Sequence, residues 1–145
     1  MASNNVHLSG DFDAAPDEVF TFFTERFDEI WPGKMDRVSD GSDPNEPLGL
    51  GFVRIMHTPA GALREEIVSH ERPRLIEYKV INEDEAKIHN HLGRIEFADN
   101  GNGGTKVDYT IDFDYRPPLL GPVSRAVMNV TWAARGKRKV AAGVE

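Results

Sequence analysis

The chain contains no cysteine, which excludes a disulfide framework, thiolate-held zinc, iron–sulfur chemistry and a cysteine nucleophile. It also lacks any apolar run near the ~18 residues that would suggest a membrane span. Its first residues, Met1 to His7, show no charged stretch leading into an apolar one, so the expectation is a cytoplasmic protein. Positive charge is scarce: 17 Lys and Arg face 24 Asp and Glu, for a net charge of −7. The deficit is uneven. Residues 1–116 carry 12 basic and 23 acidic groups, whereas residues 117–145 carry 5 and 1. An acidic body repels phosphate backbones, and the one dense basic run, Arg135, Lys137, Arg138 and Lys139, has no aromatic ladder beside it. Nucleic acid is therefore not an expected partner.

What is present suits a single domain over 1–145. A chain of 145 residues, 39% of them hydrophobic, can hide about 68–70% of its unfolded surface, enough to fold without a staple. The pattern reads strand, two short helices, six strands, long helix. Val6 to Phe12 alternates as a strand. Ala15-Pro16-Asp17-Glu18 then opens a helix, with Pro at its first position and two carboxylates at the positive end of its dipole. Val19, Phe23, Phe27 and Ile30 continue it at near-helical spacing until Trp31-Pro32-Gly33. Residues 35–50 read as a short strand and a long polar turn. Five strands follow in close order: Gly51 to Thr58, a Pro59-Ala60-Gly61 turn, Ala62 to Glu71, Leu75 to Asn82, Lys87 to Phe97, and Thr105 to Tyr115 after the turn Asn100 to Gly104. Short connections make these an antiparallel meander. In the last strand Val107, Tyr109, Ile111, Phe113 and Tyr115 share one face while Asp108, Asp112 and Asp114 share the other, so one side is dry and one wet.

The longest helical pattern runs roughly from Pro122 to Val140. Val123, Ala126, Val127, Val130 and Ala134 form a stripe expected to lie on the sheet. Met128 and Trp132, flanked by Arg125, Arg135 and Lys139, would then form an outer patch, which leaves a homodimer or another partner open. The outline is α+β: a curved antiparallel sheet covered by a C-terminal helix, with two short helices closing one end.

Several strings in this order resemble the START/SRPBCC superfamily, in particular its polyketide cyclase/dehydrase-like branch. They are Ala15-Pro16-Asp17-Glu18-Val19-Phe20, Gly49-Leu50-Gly51-Phe52-Val53-Arg54, Arg64-Glu65-Glu66-Ile67 running on to Glu77-Tyr78, His91-Leu92-Gly93, and Gly103-Gly104-Thr105-Lys106-Val107. The resemblance covers nearly the whole chain. It implies a helix-grip fold, a curved seven-stranded sheet wrapped around the C-terminal helix, with an internal cavity for an apolar molecule. It chooses no single activity, because members carry lipids, cyclise polyketides or act on other proteins.

Candidate chemistry comes from a few polar groups at inward positions. His89 and His91 lie two apart on a strand with Ile95 and Phe97, which puts both imidazoles on one face. A metal site would need further ligands such as Glu65 or His57, so no metal is expected, and no cofactor. Glu65 points inward if it follows Leu63 and Ile67, and outward if Arg64, Glu66 and Val68 face the core; a one-residue slip decides between them. An inward carboxylate would find Arg54, Tyr78 or a histidine. Tyr78 and Tyr109 sit inward between aliphatic neighbours, each with a hydroxyl to satisfy. Asp108, Asp112 and Asp114 are a solvated face. The acidic turn at Asp40 to Glu46 lacks calcium-loop spacing, and Gly49-x-Gly51 is no dinucleotide fingerprint.

The leading expectation is a site for a small hydrophobic molecule between sheet and helix. Its walls would come from Phe23, Phe27, Trp31, Ile67, Tyr78, Ile95, Tyr109, Ile111, Val127 and Val130, with His89 and His91 for polar contact. The enzymatic alternative is a cofactor-independent cyclase or dehydratase, in which His91 or Glu65 moves a proton and Tyr109 or Tyr78 stabilises an enolate oxygen. A third alternative is a protein-partner module using the C-terminal helix surface.

Overall fold

The computed structural model describes residues 2–58 and 61–145. Strand β1 (Asn4–Phe12) buries Val6, Leu8 and Phe12 on one face, and helices α1 (Pro16–Glu25) and α2 (Phe27–Ile30) follow. Pro16 begins α1, and Asp17 and Glu18 occupy its first turn. The remaining strands are β2 (Met35–Ser39), β3 (Val53–Thr58), β4 (Gly61–Glu71), β5 (Leu75–Val80), β6 (Ile88–Asp99) and β7 (Thr105–Tyr115). Pro59 and Ala60 of the β3–β4 turn lie outside the described residues. A short helix, α3 (Glu83–Ala86), connects β5 to β6. All seven strands join one sheet in the order β1-β7-β6-β5-β4-β3-β2, each pair antiparallel. Strands β2 to β7 form a meander, and β1 returns to pair with β7.

The C-terminal helix closes the concave face. It comprises α4 (Leu120–Thr131), a π-turn (Trp132–Gly136) and α5 (Lys137–Val144). Segment α4 packs against β1 and β7, while α5 packs against α1, α2 and β1. The fold is the helix-grip arrangement.

The face that this helix turns inward is rotated from the sequence expectation, and of the expected stripe Val123 and Val127 alone border the interior. Val123, Val127 and Val130 are 58–67% exposed, and Ala126 and Ala134 are exposed too. Trp132 and Val140 are buried, and Met128 packs partly buried against the core. The interior positions Ser124, Met128, Trp132, Gly136 and Val140 recur every four residues. In a regular α-helix each such step overshoots a turn by about 40°, so the stripe would wind off the sheet. The wide turn at Trp132–Gly136 restores it, which is why a search at 3.6-residue spacing selects the wrong side. Gly136 permits the close approach there, since a Cβ would press on the Trp132 ring and on Ile30. Trp132 anchors the helix by donating from Nε1 to the Ser9 carbonyl at 3.0 Å. The supposed outer patch of Met128 and Trp132 is therefore interior.

One end of the interior is solid. Phe23 packs on Phe97 at 5.3 Å between ring centroids and on Trp132 at 6.3 Å, and Tyr109 meets Trp132 at 6.1 Å. Ile95, Phe12 and Phe20 are fully enclosed around them.

Candidate functional site

The other end is hollow. A cavity of about 330 Å³ lies between the sheet and α4. Phe27, Trp31 and Pro32 close it on the α2 side; Met56, Thr58, Leu63, Glu65 and Tyr78 come from β3 to β5. Ile88, His91, Ile111 and Tyr115 come from β6 and β7, and Val123, Ser124, Val127, Met128 and Thr131 from α4.

Of the residues expected at such a site, the structure brings together Phe27, Trp31, Tyr78, His91, Ile111 and Val127, along with Glu65. Phe23, Ile67, Ile95 and Tyr109 are buried in the solid core rather than on the cavity wall. Val130 lies on the outer side of α4. His89 is displaced by a bulge: pairing between β6 and β7 shifts between His89 and Leu92, and Asn90 takes a left-handed φ of 54°. The extra residue turns His89 outward opposite Asp114, while His91 stays inward with Gly93 and Ile95. The two histidines therefore occupy opposite faces and cannot chelate together. Among the described residues, no three His, Asp or Glu side chains converge as metal ligands.

Glu65 takes the inward register, with Leu63 and Ile67 on its face. It belongs to a row running across four strands. Arg54 pairs with Glu65, Glu65 pairs with Val80, and the Val80 backbone N–H donates to His91 Nδ1 at 3.1 Å. Arg54 Nε donates to Glu65 Oε1 at 2.9 Å, and both side chains are buried. The guanidinium carbon lies 3.9 Å from the Phe27 ring centroid and 4.9 Å from that of Tyr78, so aromatic faces replace part of its lost water. Arg54 Nη2 is buried without a partner among the described residues. Burial pushes the Glu65 carboxyl above its ordinary pKa, against the pull of Arg54. Burial, with the Arg54 and Lys79 charges adding to it, lowers His91 to about 4. His91 is thus neutral near pH 7. Because Nδ1 accepts from Val80, its proton sits on Nε2, a donor with no acceptor among the described residues.

A second row places the tyrosines. Tyr78 lies between Ile67 and Gly93, with Ile111 beyond. A Cβ at Gly93 would overlap the Tyr78 ring, so glycine is what lets the phenol lie flat across β6. The Tyr78 hydroxyl hydrogen-bonds that of Tyr109, which accepts from Trp31 Nε1 at 3.1 Å. Burial raises both phenols above the ordinary tyrosine value, so they remain protonated and serve as hydrogen-bonding groups, not charges. Tyr109 thus supports the wall from behind.

Sequence reasoning named Glu65 and His91 but missed much of the wall, including Met56, Leu63, Ile88, Tyr115 and Ser124. Alternation from Glu65 would have found Leu63, and alternation from Ile111 would have found Tyr115. Ile88 required knowledge of the bulge.

A helix-grip sheet enclosing such a hollow defines a class of proteins, and the comparisons agree with it. A family model described as polyketide cyclase/dehydrase and lipid transport matches residues 4–145, and the chain belongs to that family. No curated protein matches the chain in sequence. Among solved structures, norcoclaurine synthase from Thalictrum flavum, in complex with dopamine and hydroxybenzaldehyde, is similar with a TM-score of 0.67 and 12% identity. That match covers 95% of this chain and 84% of the other. A Thermobifida fusca protein solved by NMR matches with a TM-score of 0.70 and 20% identity over 94% of this chain and 90% of its own. The Aha1 dimer of Colwellia psychrerythraea matches with a TM-score of 0.61 and 12% identity over 90% and 88%. At these identities the likeness concerns the fold. No described helix is long and apolar enough to cross a membrane.

Proposed function

We propose that the chain binds a small hydrophobic molecule in the cavity between the sheet and α4. The observation that carries this reading is the cavity itself: about 330 Å³, walled mainly by aliphatic and aromatic side chains, with Glu65, Tyr78 and His91 as a polar minority. Space of that size and lining suits a compact apolar body, whose affinity comes from area removed from water and whose orientation comes from the few polar groups. Native mass spectrometry of the purified protein, together with thermal melting against a panel of lipids and aromatic polyketides, tests it. The expected result is a retained mass or a raised Tm for at least one compound; an empty protein with an unchanged Tm throughout would sink the reading.

The enzymatic alternative rests on one observation, a buried Glu65 carboxyl and a His91 N–H donor lining the same cavity. In that case Glu65 takes the proton, because His91 holds its own on Nε2 and presents no free lone pair to the cavity. Tyr109, enclosed behind Tyr78, acts only through its hydrogen bond. For the partner alternative, and for self-association, the available surface is the outer side of the helix at exposed Leu119 and Val130.

A further inference from the structure

Accepting that the cavity is a ligand site, its unsatisfied polar atoms restrict what the ligand carries. Glu65 uses Oε1 for Arg54, and Oε2 accepts no hydrogen bond from the described residues, although the side chain lines the cavity. His91 presents the opposite need: Nδ1 is occupied by the Val80 N–H, which leaves a donating Nε2–H. The two residues flank Val80 in one row and both line the cavity, so an acceptor and a donor face the same space. A buried polar group left unpaired after the ligand has displaced water costs about 1–3 kcal/mol.

The common ligand groups can be ranked against this pair. A carboxylate satisfies His91 but sets a second negative charge against Glu65. A ketone also satisfies His91 and leaves Glu65 Oε2 dry and unpaired. An ammonium satisfies Glu65 but turns a second donor on His91 and faces the Arg54 guanidinium. A hydroxyl does both tasks at once, donating to the carboxylate and accepting from the imidazole. We propose that the ligand of this cavity is a hydroxyl-bearing apolar molecule, a phenol or alcohol, seated with its oxygen between Glu65 Oε2 and His91 Nε2.

Four probes of one shape test this: 2-naphthol, 2-methylnaphthalene, 2-naphthoate and 2-acetylnaphthalene, titrated into the protein at pH 7 and followed by protein NMR. The expected result is that 2-naphthol binds at least tenfold tighter than each of the others. Glu65→Gln should remove that advantage and favour 2-acetylnaphthalene, since the amide turned from Arg54 toward the cavity donates instead of accepting. His91→Phe, which keeps the Arg54–Glu65 pair, should also cut the naphthol advantage at least threefold, and it serves should Glu65→Gln fail to fold. Equal binding of 2-naphthol and 2-methylnaphthalene, or tightest binding of any other probe, overturns the hydroxyl assignment while the cavity reading stands. If none of the four binds, the hydroxyl assignment falls, and the lipid and polyketide panel decides the cavity reading.

Discussion

The two ends of the interior are built from the same seven strands and the same helix, yet one is packed solid and the other is open. At the solid end Phe23, Phe97, Tyr109 and Trp132 interlock, and the polar atoms among them are satisfied within the protein. At the open end the sheet offers Glu65 and His91, with Arg54 buried behind Glu65, and α4 offers Ser124, Met128, Thr131 and two valines toward the space. No side chain the size of Trp132 reaches in from the helix there. The difference shows how this fold divides labour along one sheet: large aromatics secure the helix at one end, which lets the other end stay unfilled.

The sharpest way to break this division is Trp132→Ala. It removes the helix anchor and the bond to Ser9, and should cost about 3–5 kcal/mol in urea unfolding. A loss below 1 kcal/mol would show that the solid end is not what holds the helix. The open end should instead reveal itself through acid sensitivity. Below pH ~6.5 the unfolded chain protonates His91, whereas the native chain resists until about 4. Its neutral burial therefore leaves stability intact above pH ~6.5, and stability is lost as pH falls toward 4. Between pH 7 and 4.5 that loss is about 2–3 kcal/mol, and His91→Phe should abolish it. The same acid dependence in both proteins would contradict the burial. The smallest effect is expected where the two ends meet. Gly93→Ala forces the Tyr78 ring off β6 and should cost about 1–3 kcal/mol, with a lowered Tm as the readout; a neutral result would mean that the ring has other room.

Much of this architecture was legible in the sequence. The dry and wet faces of β7, the Pro16 helix start and the inward Tyr78 and Tyr109 follow from period and local chemistry. Glu65 was legible only as a choice, because alternation is compatible with either register; its pairing with Arg54 across β3 and β4 resolves it. Two features were hidden for a shared reason, a local change of period. Asn90 adds a residue to β6 and sends His89 outward, and the π-turn widens the C-terminal helix and brings Trp132 inward. Neither leaves a signature in hydrophobic spacing, since the regular stripe of valines on α4 remains a better match to an ideal helix than the stripe that is buried.

The placement of the two tryptophans has a spectroscopic consequence. Trp31 borders the cavity, and its indole nitrogen is tied to Tyr109, whereas Trp132 is enclosed among phenylalanines at the opposite end. Each region thus holds its own fluorophore. Emission from Trp31 reads occupancy of the hollow and emission from Trp132 reads integrity of the fold, so replacing either indole leaves a single-colour gauge for the other.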